Sequence, residues 1–232
     1  MKLQNQIELP MSKKSTNPVL EKILIVIIAI GVAGAFFYYY ATYPANDFRV
    51  ARKLQSRGFG VQSDWQDSLI WHDDTIWQRP AFVHSFGLNI TADDCQLISQ
   101  LPRLRSLSLH DGDMSGLNLD EIGHCPQLEL FGCYNVTQFS ANELRKLDAC
   151  PLEHLRLQSM GLKDSDLENL AGLKKLKEIS LWDNVGITDA SFKHFEKIVH
   201  LKRLGVSKTS VTKEGVAEFQ KKRPDVIIHF EE

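Results

Sequence analysis

The sequence predicts an α/β repeat solenoid that follows one membrane-spanning helix. Three observations support this prediction. A pattern of leucine-type residues recurs every 24 or 25 residues in the C-terminal part of the chain. Within each unit, the spacing of apolar residues changes from two to the 3–4 typical of a helix. Near the N-terminus, the continuous run 23–43 carries no charged side chain.

The N-terminal part is predicted to anchor the chain in a membrane. Residues 1–22 are polar and without periodicity, which is typical of a disordered tail. As a helix, residues 23–43 span about 31 Å, close to the thickness of a bilayer hydrocarbon core. Tyrosines cluster at one end of the run, as they do at membrane interfaces. We therefore expect a single-pass membrane protein. Its orientation is not determined, because lysine and arginine flank the run almost equally.

A cleaved signal peptide is the alternative interpretation of the same segment. The small residues Ala33-Gly34-Ala35 are of the type that a signal peptidase recognises. The apolar run nevertheless continues beyond them, and the polar segment 1–22 that precedes it is long for a signal.

Residues 44–81 are predicted to form a juxtamembrane helix and an N-terminal cap of the solenoid. The helix is expected over Asn46–Arg57 and to end at Gly58. The open edge of a sheet needs to be covered. We therefore expect the tryptophans that follow the helix to pack against the first unit: Trp65, Trp71 and Trp77. An aromatic binding patch is the alternative role for these tryptophans.

Residues 82–232 are predicted to form the repeat domain. The first apolar position of the pattern L-x-x-L-x-L occurs at intervals of 24, 24, 24 and 25 residues, at Leu104, Leu128, Leu152, Leu176 and Leu201. Two further units fit at the ends, with a first strand over Phe82–Ser85 and a last strand that directs Ile228 and Phe230 inward. One strand and one short helix cannot bury a core alone, so the units must stack.

The repeats resemble the leucine-rich repeat superfamily, and within it the cysteine-containing subtype. The residues that carry the resemblance are Cys125-Pro126-Gln127-Leu128, Cys150-Pro151-Leu152 and Ile187-Thr188-Asp189. An anchor followed by a tryptophan-rich segment and a short array is similar to membrane-anchored proteins of bacteria such as planctomycetes. The resemblance implies parallel strands on a concave face and short helices on a convex face. It implies binding of other proteins, and in the cysteine-containing subtype an adaptor role in ubiquitin-dependent protein turnover.

Composition and motifs argue against several other classes of protein. With 27 basic and 29 acidic residues, the chain does not favour a nucleic-acid partner. The four cysteines have no C-x-x-C spacing and are expected to be buried and reduced. His124 and Cys125 are adjacent in an extended segment, so their side chains point apart and do not form a nucleophile–base pair.

Two clusters contain side chains capable of binding metal, His72-Asp73-Asp74 and His110-Asp111-Gly112-Asp113. We expect the first to be a solvated loop and the second to be a turn. No catalytic or phosphate-binding motif is present. The sequence therefore predicts a protein that is not an enzyme and has no metal, cofactor or small-molecule substrate.

The phase of the repeats identifies the side chains that point away from the core. One row across the strands reads His110, Tyr134, Gln158, Trp182, Ser207. The candidate partner-binding residues of the concave face are His110, Tyr134, His154, Arg156, Gln158, Glu178, Trp182 and Arg203. Tyr134, Arg156 and Trp182 are the strongest candidates, because tyrosine, tryptophan and arginine are enriched at interface hot spots. The alternative is that a mixed polar row only solvates the sheet.

The function predicted from these features is a membrane-anchored scaffold that binds a protein through its concave face. Two alternatives remain open. One is the adaptor role that the resemblance implies, and the other is an accessory subunit that holds a membrane complex together.

Overall fold

A computed structural model of the chain describes residues 46–63 and 80–231. The predicted membrane segment 23–43, the tail 1–22 and all three tryptophans of the predicted cap lie outside the described residues. Within the described ranges, no helix combines the length and the apolar character needed to cross a bilayer.

The described residues form one sheet whose strands follow each other in sequence order. The strands are β1 (Gly60–Ser63), β2 (Pro80–Phe86), β3 (Ser106–His110), β4 (Leu130–Tyr134), β5 (His154–Gln158), β6 (Glu178–Ser180), β7 (Arg203–Gly205) and β8 (Ile227–His229). From β2 to β8 every neighbouring pair is parallel, and the paired residues are 24 or 25 positions apart. The predicted parallel-stranded solenoid is therefore confirmed.

From β2 to β7, each strand is followed by a helical segment, although not all of these are α-helices. The α-helices are α1 (46–56), α2 (Ala92–Ser99), α3 (Leu119–Ile122), α4 (Phe192–Phe195) and α5 (Lys213–Lys222). Two units have only 3₁₀ helices at Ala141–Leu147 and Asp164–Gly172, and a 3₁₀ turn at Asp189–Ser191 leads into α4. A 3₁₀ helix rises about 2.0 Å per residue, against about 1.5 Å for an α-helix, so it covers a given distance with fewer residues.

The N-terminal end of the sheet differs from the prediction in two ways. β2 extends over Pro80–Phe86, rather than Phe82–Ser85, so it begins inside the predicted cap region. The edge of β2 is covered by β1, which pairs with it antiparallel. This strand was not predicted, because residues 60–63 carry no leucine-type pattern. A short antiparallel strand covers an edge through its backbone, which leaves little trace in side-chain type.

The helix before β1 is joined to the first repeat by both apolar and ionic contacts. Leu54 of α1 is fully buried in the same core as the repeat leucines. Arg57 pairs with Asp94, whose side chain is 1% exposed, and donates to its second carboxyl oxygen over 3.0 Å. Gly58 ends the helix with φ +98°, a conformation that favours glycine. Residues 46–63 are therefore part of the same compact unit as the repeats.

The core consists of the inward residues of each strand, stacked from unit to unit. The register aligns Leu107, Phe131, Leu155, Ile179 and Leu204, each of which is fully buried. This agrees with the strand period of two, which directs alternate side chains to one face.

All four cysteines are buried free thiols, as the sequence predicts. Cys125 is 1% exposed while its neighbour His124 is exposed, so the two residues do not form a nucleophile–base pair. Burial raises the pKa of Cys125 to about 12 and that of Cys150 to about 11. These thiols are therefore protonated at neutral pH, and they pack as small apolar side chains.

Candidate protein-binding face

The outward residues of the strands form three rows that run across the sheet, and we call this surface the strand face. Row A consists of Phe82, Ser106, Leu130, His154, Glu178, Arg203 and Ile227. Row B consists of His84, Ser108, Gly132, Arg156, Ser180, Gly205 and His229. Row C begins with Phe86, His110, Tyr134 and Gln158, and continues in sequence with Trp182 and Ser207. Every residue predicted for the concave face lies in one of these rows.

Row C is held in place by the turn that follows it. The residue after each row C position has a left-handed backbone, with φ of 55° at Asp111 and 50° at Asn135, for example. Its backbone N–H donates to the carbonyl of the next row C residue, as from Asp111 to Tyr134 over 3.0 Å. The cluster around His110-Asp111 is thus a turn, as expected. The row C backbone is fixed, and only its side chains face outward.

Three rings stack along row C. The centroids of Phe86 and His110 are 4.5 Å apart at an interplanar angle of 25°, and those of His110 and Tyr134 are 4.2 Å apart at 3°. Burial lowers the pKa of His110, against the opposing effect of the Asp111 charge. The ring is therefore neutral at pH 7 and packs as an aromatic group. We call these three residues the ring stack.

Gly132, the third residue of row B, is needed for the ring stack. A Cβ built at Gly132 would lie 2.7 Å from the Tyr134 ring, which is closer than real Cβ contacts. The Tyr134 ring therefore lies down over Gly132, and this orientation places it parallel to His110. The sequence shows the glycine but not that a ring two residues later occupies its space.

The remaining residues of row C are Gln158, the exposed Trp182 and the buried Ser207. Trp182 is 36% exposed, and the Lys208 ammonium lies 4.5 Å from the centroid of its ring. Gln158 donates to the Ser180 hydroxyl over 2.7 Å and so connects row C to row B. Ser207 was predicted to continue the outward row, but it is only 8% exposed. Its hydroxyl donates to the carbonyl of His229 over 3.4 Å, because the last strand packs against it.

Three of the predicted residues in row A bind each other. Glu178 Oε2 lies 3.0 Å from His154 Nδ1 and accepts from Arg203 Nη2 over 2.9 Å. Partial burial acts to raise the pKa of Glu178, but the hydrogen bond and charge of Arg203, with His154, outweigh it and lower the pKa. Glu178 is therefore ionised at neutral pH, and its charge is satisfied within the protein.

Arg156 differs from the other charged residues of the three rows. It lies in row B between Gly132 and Ser180, and its side chain is partly exposed. Within residues 46–63 and 80–231, its side chain has no hydrogen bond or ion pair. A cation without an internal partner is available to a ligand.

The sequence-based prediction did not include two residues at the N-terminal end of the strand face, Phe86 and His84. Phe86 is 65% exposed and begins the ring stack, and His84 contacts it edge to face at 5.7 Å. Both are found by moving 24 positions back from His110 and Ser108. Phe86 was missed because the first strand was predicted to end at Ser85. His84 lies within that predicted strand, but the outward positions were assigned only from β3 onward.

The described residues contain no group of three or more histidine, cysteine, aspartate or glutamate side chains placed to hold a metal ion. In the second predicted cluster, the Asp111 carboxylate accepts from Asn135 over 2.7 Å, and that of Asp113 accepts from the Ser115 backbone over the same distance. The first predicted cluster, His72-Asp73-Asp74, lies outside the described residues.

Comparison with known proteins finds no matching family model and no matching curated protein. Solved structures similar to the chain are an internalin of Listeria monocytogenes (13% identity, TM-score 0.42, covering 64% of this chain and 48% of the internalin) and a leucine-rich repeat protein of Leptospira interrogans (19% identity, TM-score 0.38, 58% and 39%). An internalin C2 of Listeria monocytogenes is 16% identical, with a TM-score of 0.37 and coverages of 65% and 80%. The chain thus spans about half or less of the first two.

Proposed function

We propose that this protein is a non-enzymatic, membrane-anchored scaffold that binds a protein partner through its strand face. The observation that carries the proposal is row C. It places aromatic side chains on neighbouring strands, and it includes Phe86 and Trp182, two of the large apolar residues exposed in the described part of the chain. Exposed aromatic residues beside an accessible arginine are the residue types enriched at binding hot spots.

Site-directed photocrosslinking tests this proposal. A benzoylphenylalanine placed at Trp182 in the full-length protein is expected to crosslink a partner in native membranes. The matched control is the same group at Val199, which is 77% exposed and follows the helical segment of its unit, away from the strand face. Crosslinks from position 199 with none from position 182 would place the partner on the helical side and contradict the proposal.

The crosslinked protein also decides between the possible roles of the scaffold. Components of a ubiquitin ligase would favour the adaptor role. Stoichiometric subunits of one membrane complex would favour the accessory role. A partner from neither group supports a free-standing scaffold.

The membrane anchor is a separate proposal that rests on residues 23–43. This uncharged run has the length of a bilayer span. We expect the full-length protein to stay in the membrane fraction after alkaline carbonate extraction, and a variant lacking 23–43 to become soluble. Recovery of a mature chain that starts near Phe36 would instead identify a cleaved signal peptide, and protease protection would establish which side the repeats face.

A further inference from the structure

The chemistry that the strand face presents narrows the class of partner. We infer that the strand face binds an extended, carboxylate-rich segment of a protein, with an acidic side chain of that segment paired to Arg156. This inference rests on the proposed function, because it concerns the partner of the same surface.

The first argument is the charge of the three rows. From β2 to β7, Glu178 is their only carboxylate, and it is bound from both sides by His154 and Arg203. Arg156 has no acidic partner among the described residues. From β2 to β7 the rows therefore contain one uncommitted positive charge and no uncommitted negative charge, so this part of the face complements an anionic ligand. Beyond β7, the exposed Glu231 lies 24 positions after Ser207.

The charged side chains in the turns beyond row C are two carboxylates, which already accept hydrogen bonds within the protein, and one ammonium. Asp111 and Asp183 lie in the turns beyond row C, where they accept hydrogen bonds from Asn135 over 2.7 Å and from Ser159 over 2.8 Å. Lys208 lies in an equivalent turn, and its ammonium is placed over the Trp182 ring. Lys208 is exposed, so it is a second cation within reach of a ligand on row C.

The second argument is the orientation of the aromatic rings in the ring stack. Both faces of the His110 ring and one face each of Phe86 and Tyr134 are covered within the stack, at centroid distances of 4.5 and 4.2 Å, so ring edges form much of the surface it presents. Aromatic edges carry partial positive charge. The Tyr134 hydroxyl, an N–H of the His110 ring and the Gln158 amide add hydrogen-bond donors to the same row. This surface favours oxygen acceptors, as carboxylates supply.

The third argument is the distance along row C from Phe86 to Trp182. From Phe86 to Trp182 there are four strand steps, which at about 4.8 Å each make about 19 Å. An extended chain rises about 3.3 Å per residue, so about six residues cross this distance. Apolar side chains at both ends of such a segment contact Phe86 and Trp182, and acidic side chains between them meet Arg156.

The test uses the full-length protein in detergent and two labelled hexapeptides. One peptide has four glutamates between two leucines, and the other has four glutamines in their place. We expect fluorescence anisotropy to give at least tenfold tighter binding of the glutamate peptide. Arg156→Gln is expected to weaken binding of the glutamate peptide about tenfold and to leave that of the glutamine peptide unchanged. Rising salt concentration should produce a similar loss.

Arg145→Gln is the matched control, because Arg145 is an exposed arginine in the helical segment of a neighbouring unit. It should leave both affinities unchanged. Equal affinity for the two peptides, no binding of the glutamate peptide at millimolar concentration, or an unchanged affinity in Arg156→Gln would overturn the inference. So would stronger binding of inorganic polyphosphate, which would indicate a phosphate-bearing partner.

Trp182→Ala separates the failure of this inference from that of the proposed function. If both peptides bind equally and both are lost in Trp182→Ala, the strand face binds proteins but does not select acidic ones. If binding of both peptides is insensitive to Trp182→Ala and Arg156→Gln, the strand face is not the binding surface, and both the inference and the proposed function fail.

Discussion

Replacing Asn184 with leucine is expected to lower the free energy of unfolding by about 3 kcal/mol, because the buried polar groups around it lose their partners. The Asn184 side chain is fully buried. Its oxygen accepts from the backbone N–H groups of Met160 and Leu162 over 3.0 and 3.1 Å. Its amide group donates to the carbonyls of Leu157 and Leu181 over 2.8 and 2.9 Å. Leucine has a similar size but leaves these backbone groups unsatisfied.

Urea denaturation followed by circular dichroism measures this loss. The matched control is Asn142→Leu, since Asn142 is an exposed asparagine that accepts one surface hydrogen bond from Asn169. We expect that control to change stability by less than about 0.5 kcal/mol, as is usual for surface substitutions. A loss at Asn184 no larger than that of the control would show that the backbone groups find other partners.

Replacing Phe131 with alanine is expected to cost about 4 kcal/mol, the range for removing a large aromatic side chain from a core. Phe131 is fully buried in β4, between Leu107 and Leu155 of the inward stack, and its ring centroid is 6.5 Å from that of Phe139. In a solenoid each unit contacts mainly its neighbours. The cavity therefore weakens the contact between the N-terminal and C-terminal units.

Phe86→Ala tests whether the effect comes from burial rather than from residue type. Phe86 belongs to the same sheet but is 65% exposed. Its replacement should change the free energy of unfolding by less than about 0.5 kcal/mol, while removing one end of the ring stack. Similar losses for Phe86→Ala and Phe131→Ala would contradict the assignment of inward and outward faces.

The contribution of Asn184 to stability is a feature that the repeat pattern does not show. The equivalent positions in other units, three residues after the last inward residue of the strand, are Gly112, Val136, Met160 and Thr209. Thr209 replaces part of the function of the asparagine, since its hydroxyl donates to Val206 over 2.6 Å and accepts from Val211 over 3.3 Å. A period search finds what units share, so a residue present in one unit is seen only through its contacts.

By itself, the sequence determined the phase of the strands. The repeat period, combined with the alternation of side chains along a strand, specifies which side chains point inward, and every strand from β3 to β7 lies where that phase places it. It also determined that Tyr134, Arg156 and Trp182 face away from the core. These features depend on local geometry, which a period in the sequence records directly.

Only the tertiary structure decided how the outward residues are used. His154, Glu178 and Arg203 lie on three successive strands, yet they form one ionic group. In the three rows, this leaves Arg156 as the cation that has no partner among the described residues. Phe86, His110 and Tyr134 stack because parallel strands bring equivalent positions within about 4.8 Å. Contacts between units depend on side-chain conformation and on what each neighbour leaves unoccupied, as Gly132 does for Tyr134. The repeat period of the sequence records neither side-chain conformation nor the space that a neighbour leaves.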